Sequence, residues 1–345
     1  MRRARRFVRT VVLMGSAVLA GAAAMGVARS DHARQTQAVA AHADWPQGPV
    51  TLVVTFPPGG GTDTLARRLA DRLHHRYGHA FVVENRSGAS GNIGAQAVAR
   101  ARPDGHTLLV ANSSYAINPS VFSELGFDPA RDLVGVINVA YVPSVIVTRA
   151  ESPWPDLLSA VDAGRGKVAG QDDVPAYASC GNGTPQHVAA AMLNQSTGSQ
   201  WLHVPYRGCG PALIDVMAGT VDLAVVTASS ALPHIQAGSL RALAVTSPER
   251  SALLPDIPSV AELGVTGYAL NQWHGLLAPG TTPAPLIERI HAAVNAVLAE
   301  PAVQQELIGM GYDLAEGEAR DFQHVIREDL DRFAVAARRM GLKVN

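Results

Sequence analysis

The residues best placed to do chemistry are Gly59-Gly60-Gly61-Thr62-Asp63, set between the apolar run 50–56, closed by Pro57-Pro58, and a segment in which Leu65, Leu69 and Leu73 recur every fourth position. Glycines without a Cβ let the backbone come close to a guest, and a helix starting at Thr62, its expected N-cap, leaves its first N–H groups without intrahelical acceptors. Such donors, at the positive end of a helix dipole, suit an anion. A dinucleotide fingerprint is excluded because its third glycine would fall on Thr64. A phosphate-cradling P-loop is excluded because no lysine is near. A tight strand-to-helix turn with no ligand uses the same residues equally well. Asp63 either accepts from a ligand amine or favours the helix N-terminus, and its charge opposes direct contact with a carboxylate.

A second constellation repeats the pattern. Gly181-Asn182-Gly183 follows a short strand, Thr184 has the type of an N-cap, Pro185 suits the first helical position, and His187 stands one turn on. Asn112, Ser113 and Tyr206 fall at predicted strand ends, where their side chains suit the far end of a ligand. Cys180 and Cys209 lie in two similar loops. An exported chain with an even cysteine count points to a disulfide between them, with two unpaired small residues as the alternative. Enzyme motifs are missing: there is no Gly-x-Ser-x-Gly and no His-Glu-x-x-His, and His74-His75 sit on a solvated helix face. No catalytic residue, metal site or cofactor is therefore expected; an exported hydrolase or isomerase acting on a small carboxylate is the alternative class.

The elements that must position these residues follow from periodicity. Arg2, Arg3, Arg5, Arg6 and Arg9 precede an uncharged apolar stretch and then small residues, a secretory signal pattern with cleavage after Ala24, Ala28 or Ala43, so residues 1–43 are taken as signal peptide and leader and the mature chain as exported. Formal net charge is −1 with 17% charged residues, which excludes a nucleic-acid surface. Aromatics make up only 5% while small and β-branched residues abound, as in α/β folds. Strands are expected near 50–56, 79–84 and 106–111, with a helix from 62 and another over 92–101 that turns Ile93, Ala97 and Val98 or Ala101 inward. Two strands separated by Tyr141-Val142-Pro143 are expected between 134 and 148. A second βαβαβ set runs from 177 to 247, a returning strand spans 268–277, and three helices close the chain. Ligands of such sheets sit at the carboxyl ends of the strands.

Taken together, Val83-Glu84-Asn85-Arg86, Gly91-Asn92-Ile93-Gly94, Pro103-Asp104-Gly105, Gly181-Asn182-Gly183-Thr184, His203-Val204-Pro205-Tyr206-Arg207-Gly208 and Leu240-Arg241-Ala242-Leu243-Ala244-Val245-Thr246 accompany the first loop in order. The chain from Trp45 onward resembles the Bug-type solute receptors of tripartite tricarboxylate transporters. The resemblance implies a periplasmic-binding-protein type II-like fold of two α/β lobes joined by crossover strands, with lobe 1 at 44–147 plus 270–345 and lobe 2 at 148–269. It implies a monomer that closes on a small carboxylate and delivers it to a membrane permease, or in some cases to a sensor kinase ectodomain. Pro58, Gly59, Gly60, Gly61, Thr62 and Asp63, and Gly181, Asn182, Gly183 and Thr184 with His187, match the positions with which the family holds the carboxylate. Two departures stand out: residues 224–226 are apolar where a polar strand end is common, and the chain is longer between 167 and 177, with Asp172-Asp173 in the extra piece.

Overall fold

The computed structural model describes residues 45–167 and 174–343, so the leader and the Asp172-Asp173 insertion lie outside the described residues. Val50–Val54 (β1) pairs in parallel with Phe81–Asn85 (β2) on one side and Thr107–Asn112 (β3) on the other. Between them run Gly61–Tyr77 (α1) and Asn92–Ala99 (α2), the expected crossover helices. Leu65, Leu69 and Leu73 are fully buried, and burying such a side chain contributes about 1.5 to 3 kcal/mol. Helix α2 departs from expectation. Ile93 is 53% exposed; Val98 is buried as expected, and its inward companions are Asn92, Gly94 and Ala95. The reason is close approach: a Cβ on Gly94 would stand 3.0 Å from the Arg86 carbonyl oxygen, so this glycine must face the strand.

Ser114–Val121 (α3) follows β3 at once, an unexpected helix whose sequence carries Pro119 inside it. The two strands expected after residue 134 are one, Leu133–Arg149 (β4). Through Pro143 it pairs with a later strand, and from Ser144 on it pairs with two others, so the proline lacking an N–H stands where the ladder changes partner. Leu157–Gly164 (α4) is capped by the Asp156 carboxylate, which accepts from the Ser159 amide.

The second parallel set is Ala176–Ser179 (β5), Leu202–Pro205 (β6) and Leu223–Thr227 (β7), with Pro185–Thr197 (α5) and Cys209–Met217 (α6) as crossovers. Ala228–Gln236 (α7) leads to Leu240–Val245 (β8), antiparallel to the second half of β4. Asn271–Pro279 (β9) then returns antiparallel between β3 and the first half of β4. Ala284–Leu298 (α8), Pro301–Gly309 (α9), the short Asp313–Leu314 (β10) and Ala319–Met340 (α10) complete the chain. The strand order is β2-β1-β3-β9-β4-β7-β5-β6, with β8 and β10 also paired to β4. This is a mixed α/β fold of two lobes that share the long strand β4.

Candidate ligand-binding cleft

The carboxyl ends of the parallel strands from both lobes meet at one cleft with two connected parts. The outer cavity, of about 490 Å³, lies among the ends of β1, β2, β5 and β6, with Phe122 at the end of α3. The inner one, of about 60 Å³, is lined by Pro58, Gly60, Gly61 and Thr62 from the first loop, Asn112 from β3, and Gln186 and Thr227 from the second lobe. Phe56, Pro57, Cys180, Arg207 and Gly208 border both. Among the described residues lining these two cavities, Arg207 alone carries a formal charge, and no ion pair is formed by it. An anion is therefore favoured here on charge alone.

The first loop presents bare backbone. The N-cap of α1 is Gly60 rather than Thr62, and no side chain caps it, so Thr62 stands inside the first turn. The first N–H groups of the helix have no intrahelical acceptor, as at any helix start. Three contacts hold the loop from behind. Asp63 accepts from the Gly59 amide at 2.9 Å, Arg67 Nε at 2.9 Å and Asn85 Nδ2 at 2.8 Å. Burial opposes its charge, but those donors and the Arg67 guanidinium hold its carboxyl below the ordinary value. Tyr312 Oη donates to the Gly61 carbonyl at 2.7 Å from 251 residues away. A Cβ on Gly61 would stand 2.8 Å from Ser229 Oγ on α7, so the loop meets the second lobe directly.

The second loop is bound up in its own side chains. Thr184 caps α5, accepting from the His187 amide at 3.4 Å and donating to the Gly181 carbonyl at 2.7 Å. The Gly181 amide donates to Ser179 Oγ at 3.1 Å, and the Gly183 amide to His187 Nδ1 at 3.2 Å. That acceptor role puts the His187 proton on Nε2. Its ring stacks on His203 with centroids 4.0 Å apart, and burial pushes His187 down to about 4 and, with His187 beside it, His203 to about 3. Gly183 has φ +71°, and a Cβ there would lie 2.8 Å from Asn118 Oδ1 of the first lobe. The expected disulfide is present: Cys180 and Cys209 are joined, with Cα atoms 4.4 Å apart, and tie this loop to the start of α6.

The expected residues thus separate into two groups. Pro58, Gly60, Gly61, Thr62, Asn112, Gly181, Asn182 and Tyr206 line the cleft. Gly59, Asp63, Ser113, Gly183, Thr184 and His187 stand behind its wall, with polar atoms engaged as described or, for Ser113, with its hydroxyl accepting from the Trp273 amide at 3.0 Å. Tyr206 offers a ring rather than a hydroxyl, because its Oη donates to Asp215 at 2.6 Å and, partly desolvated and beside that carboxylate, is pushed up to about 12. Asn112 Oδ1 accepts from the Ser114 amide at 3.0 Å, so its amide nitrogen is the part left for the cleft.

Other lining residues were not singled out from the sequence. Ala89 and Ser90 sit in the left-handed region at φ 46° and 52°, and Ser90 Oγ donates to the Asn182 carbonyl across the cleft. Neither residue type announces that conformation. Thr227 supplies the polar strand end that residues 224–226 lack; Gln186 Nε2 donates to it at 3.3 Å and to Ser144 Oγ at 3.1 Å. Arg207 lies in the run 203–208, whose residue types alone do not tell that it stands exposed beside the cleft. Among the described residues no group of three or more His, Cys, Asp or Glu is arranged to hold a metal ion.

A family model described as the tripartite tricarboxylate transporter family receptor matches residues 65–342. The chain belongs to this receptor family. It is 32% identical to Protein BugT of Bordetella pertussis over 302 residues, covering 87% of this chain and 91% of that one. Among solved structures, Rpa4515 of R. palustris with adipate superposes with a TM-score of 0.82 at 33% identity, covering 87% of this chain and all of that one. MatC of Rhodopseudomonas palustris with bound malate gives 0.78 at 28% identity, covering 85% and 99%. The family and these neighbours are solute-binding receptors, not enzymes, which sets the hydrolase and isomerase readings aside.

Proposed function

We propose that this receptor is exported to the periplasm, captures one small carboxylate by closing its two lobes, and presents it to the membrane permease of a tripartite tricarboxylate-type transporter. The observation that carries the reading is the uncapped N-terminus of α1 opening on the inner cavity, with Arg207 as the charged side chain at its rim. Fixed N–H dipoles compensate an anion in a closed site, and each charge-assisted hydrogen bond contributes about 1.5 to 3 kcal/mol. Adipate in one relative and malate in another support a carboxylate as the class. The ligand-contacting set is taken as Pro58, Gly60, Gly61, Thr62, Asn112, Gly181, Asn182 and Tyr206, with Thr227 and Arg207 added. We place the hinge in β4 near Pro143 and Ser144, where the strand changes partners, and at the start of β9; lobe 1 is then the first half with the C-terminal helices, and lobe 2 the segment between. The leader pattern and the family together support the compartment and the permease.

A thermal-shift screen of the chain from Asp44 against mono-, di- and tricarboxylates and uncharged analogues tests this. A ligand at 100 times its dissociation constant adds about 2.7 kcal/mol to folding. A shift by a carboxylate that is recovered unchanged is the expected result; shifts by uncharged analogues alone would overturn it.

A further inference from the structure

We infer that the solute is an arylcarboxylate: one carboxylate on an aromatic body. This rests on the carboxylate-receptor reading above and adds which carboxylates are selected. The two parts of the cleft differ in chemistry. The inner cavity, at about 60 Å³, has room for a carboxylate-sized group and the donors for it. The outer cavity, at about 490 Å³, falls in the range of roughly 300–1,000 Å³ that encloses a larger organic ligand.

Three part-buried rings from three different elements line that outer space: Phe56 after β1, Phe122 after α3 and Tyr206 after β6. Of its six polar or charged side chains, three are committed elsewhere, and Ser87, Asn182 and Arg207 remain. The Tyr206 hydroxyl is held by Asp215, Ser90 Oγ by the Asn182 carbonyl, and Thr55 Oγ1 by the Val110 carbonyl. A hydroxylated diacid needs several further donors away from its first carboxylate. The lining offers one cation, Arg207, and it borders the inner cavity as well. A flat apolar body between ring faces, with its carboxylate turned to the first loop, satisfies both parts at once.

Isothermal titration of the protein with benzoate, 3-phenylpropionate, malate, adipate and benzamide tests this. An aromatic acid should bind at least about tenfold more tightly than malate or adipate. Phe122→Ala should weaken the aromatic acid about tenfold and by clearly more than it weakens the aliphatic diacids. Malate or adipate binding as tightly as the aromatic acids, or alone, overturns this inference and leaves the carboxylate reading standing. Benzamide binding without any acid, or no acid binding at all, overturns both. The wild-type ranking decides the matter even if a variant fails to fold.

Discussion

Residues 59–63 and 181–184 both follow a short parallel strand, both are rich in glycine and both lead into a helix, yet their backbones are used in different ways. In the second loop the amides of Gly181 and Gly183 and the hydroxyl of Thr184 are taken up by neighbouring groups, and a disulfide fastens the whole to α6. In the first, contacts come from behind, through Asp63 and Tyr312, and the cap position itself is a bare glycine. A loop that satisfies its own donors makes a rigid wall, while one braced from outside keeps its donors for a ligand. The same glycine-and-threonine pattern thus encodes either role, and the side chains within a few residues decide which.

The comparison can be sharpened by loosening the second loop. Replacing both Cys180 and Cys209 with alanine removes a closure across 29 residues and should lower stability by about 3 to 4 kcal/mol in denaturant unfolding. An unchanged midpoint would mean that the loop is held without it.

The stacked histidines give a pH test of the same wall. His187, at about 4, and His203, at about 3, are depressed by burial, whereas the unfolded chain takes these protons near an ordinary value of about 6.5. Below about 6.5 the unfolded state binds more protons, so stability falls as pH drops toward 4, by up to about 3 kcal/mol for His187. His203→Phe should flatten that slope in thermal unfolding followed from pH 7 to 4. A wild-type midpoint independent of pH over this window would remove the pair from the account.

A smaller effect is expected at Thr184. Losing an N-cap costs about 0.5 to 2 kcal/mol, so Thr184→Ala should lower the thermal midpoint modestly while changing ligand affinity by less than about tenfold. A loss of binding at unchanged stability would move Thr184 into the ligand shell.

Much of this was legible in the sequence because it depends on local pattern. Leu65, Leu69 and Leu73 mark the buried face of α1, the βαβ spacing orders the strands, and Thr184-Pro185 marks the start of α5. What escaped depends on contacts between distant residues. Asp63 reads as a site residue until Asn85 is found hydrogen-bonded to it, and Ser113 until the Trp273 amide reaches it across 160 positions. Helix α3 hid behind Pro119, and the face of α2 was set by the clearance at Gly94 rather than by the apolar Ile93. Phe56 and Phe122 give no local sign that they border a common cavity, since apolar residues at element ends are equally at home in a core.

The central claim is that the bare cap of α1 binds the carboxylate. Gly60 has φ −81°, and a Cβ there would come no nearer than 3.8 Å to the Pro57 carbonyl oxygen, so a larger side chain is accommodated by the backbone and projects into open space beside the inner cavity. Titrating wild type and Gly60→Leu with the tightest-binding acid, alongside their melting curves, tests it directly. Gly60→Leu should lose at least about a hundredfold in affinity with a melting midpoint within a few degrees of wild type. Affinity kept within about threefold in a folded Gly60→Leu protein would contradict it.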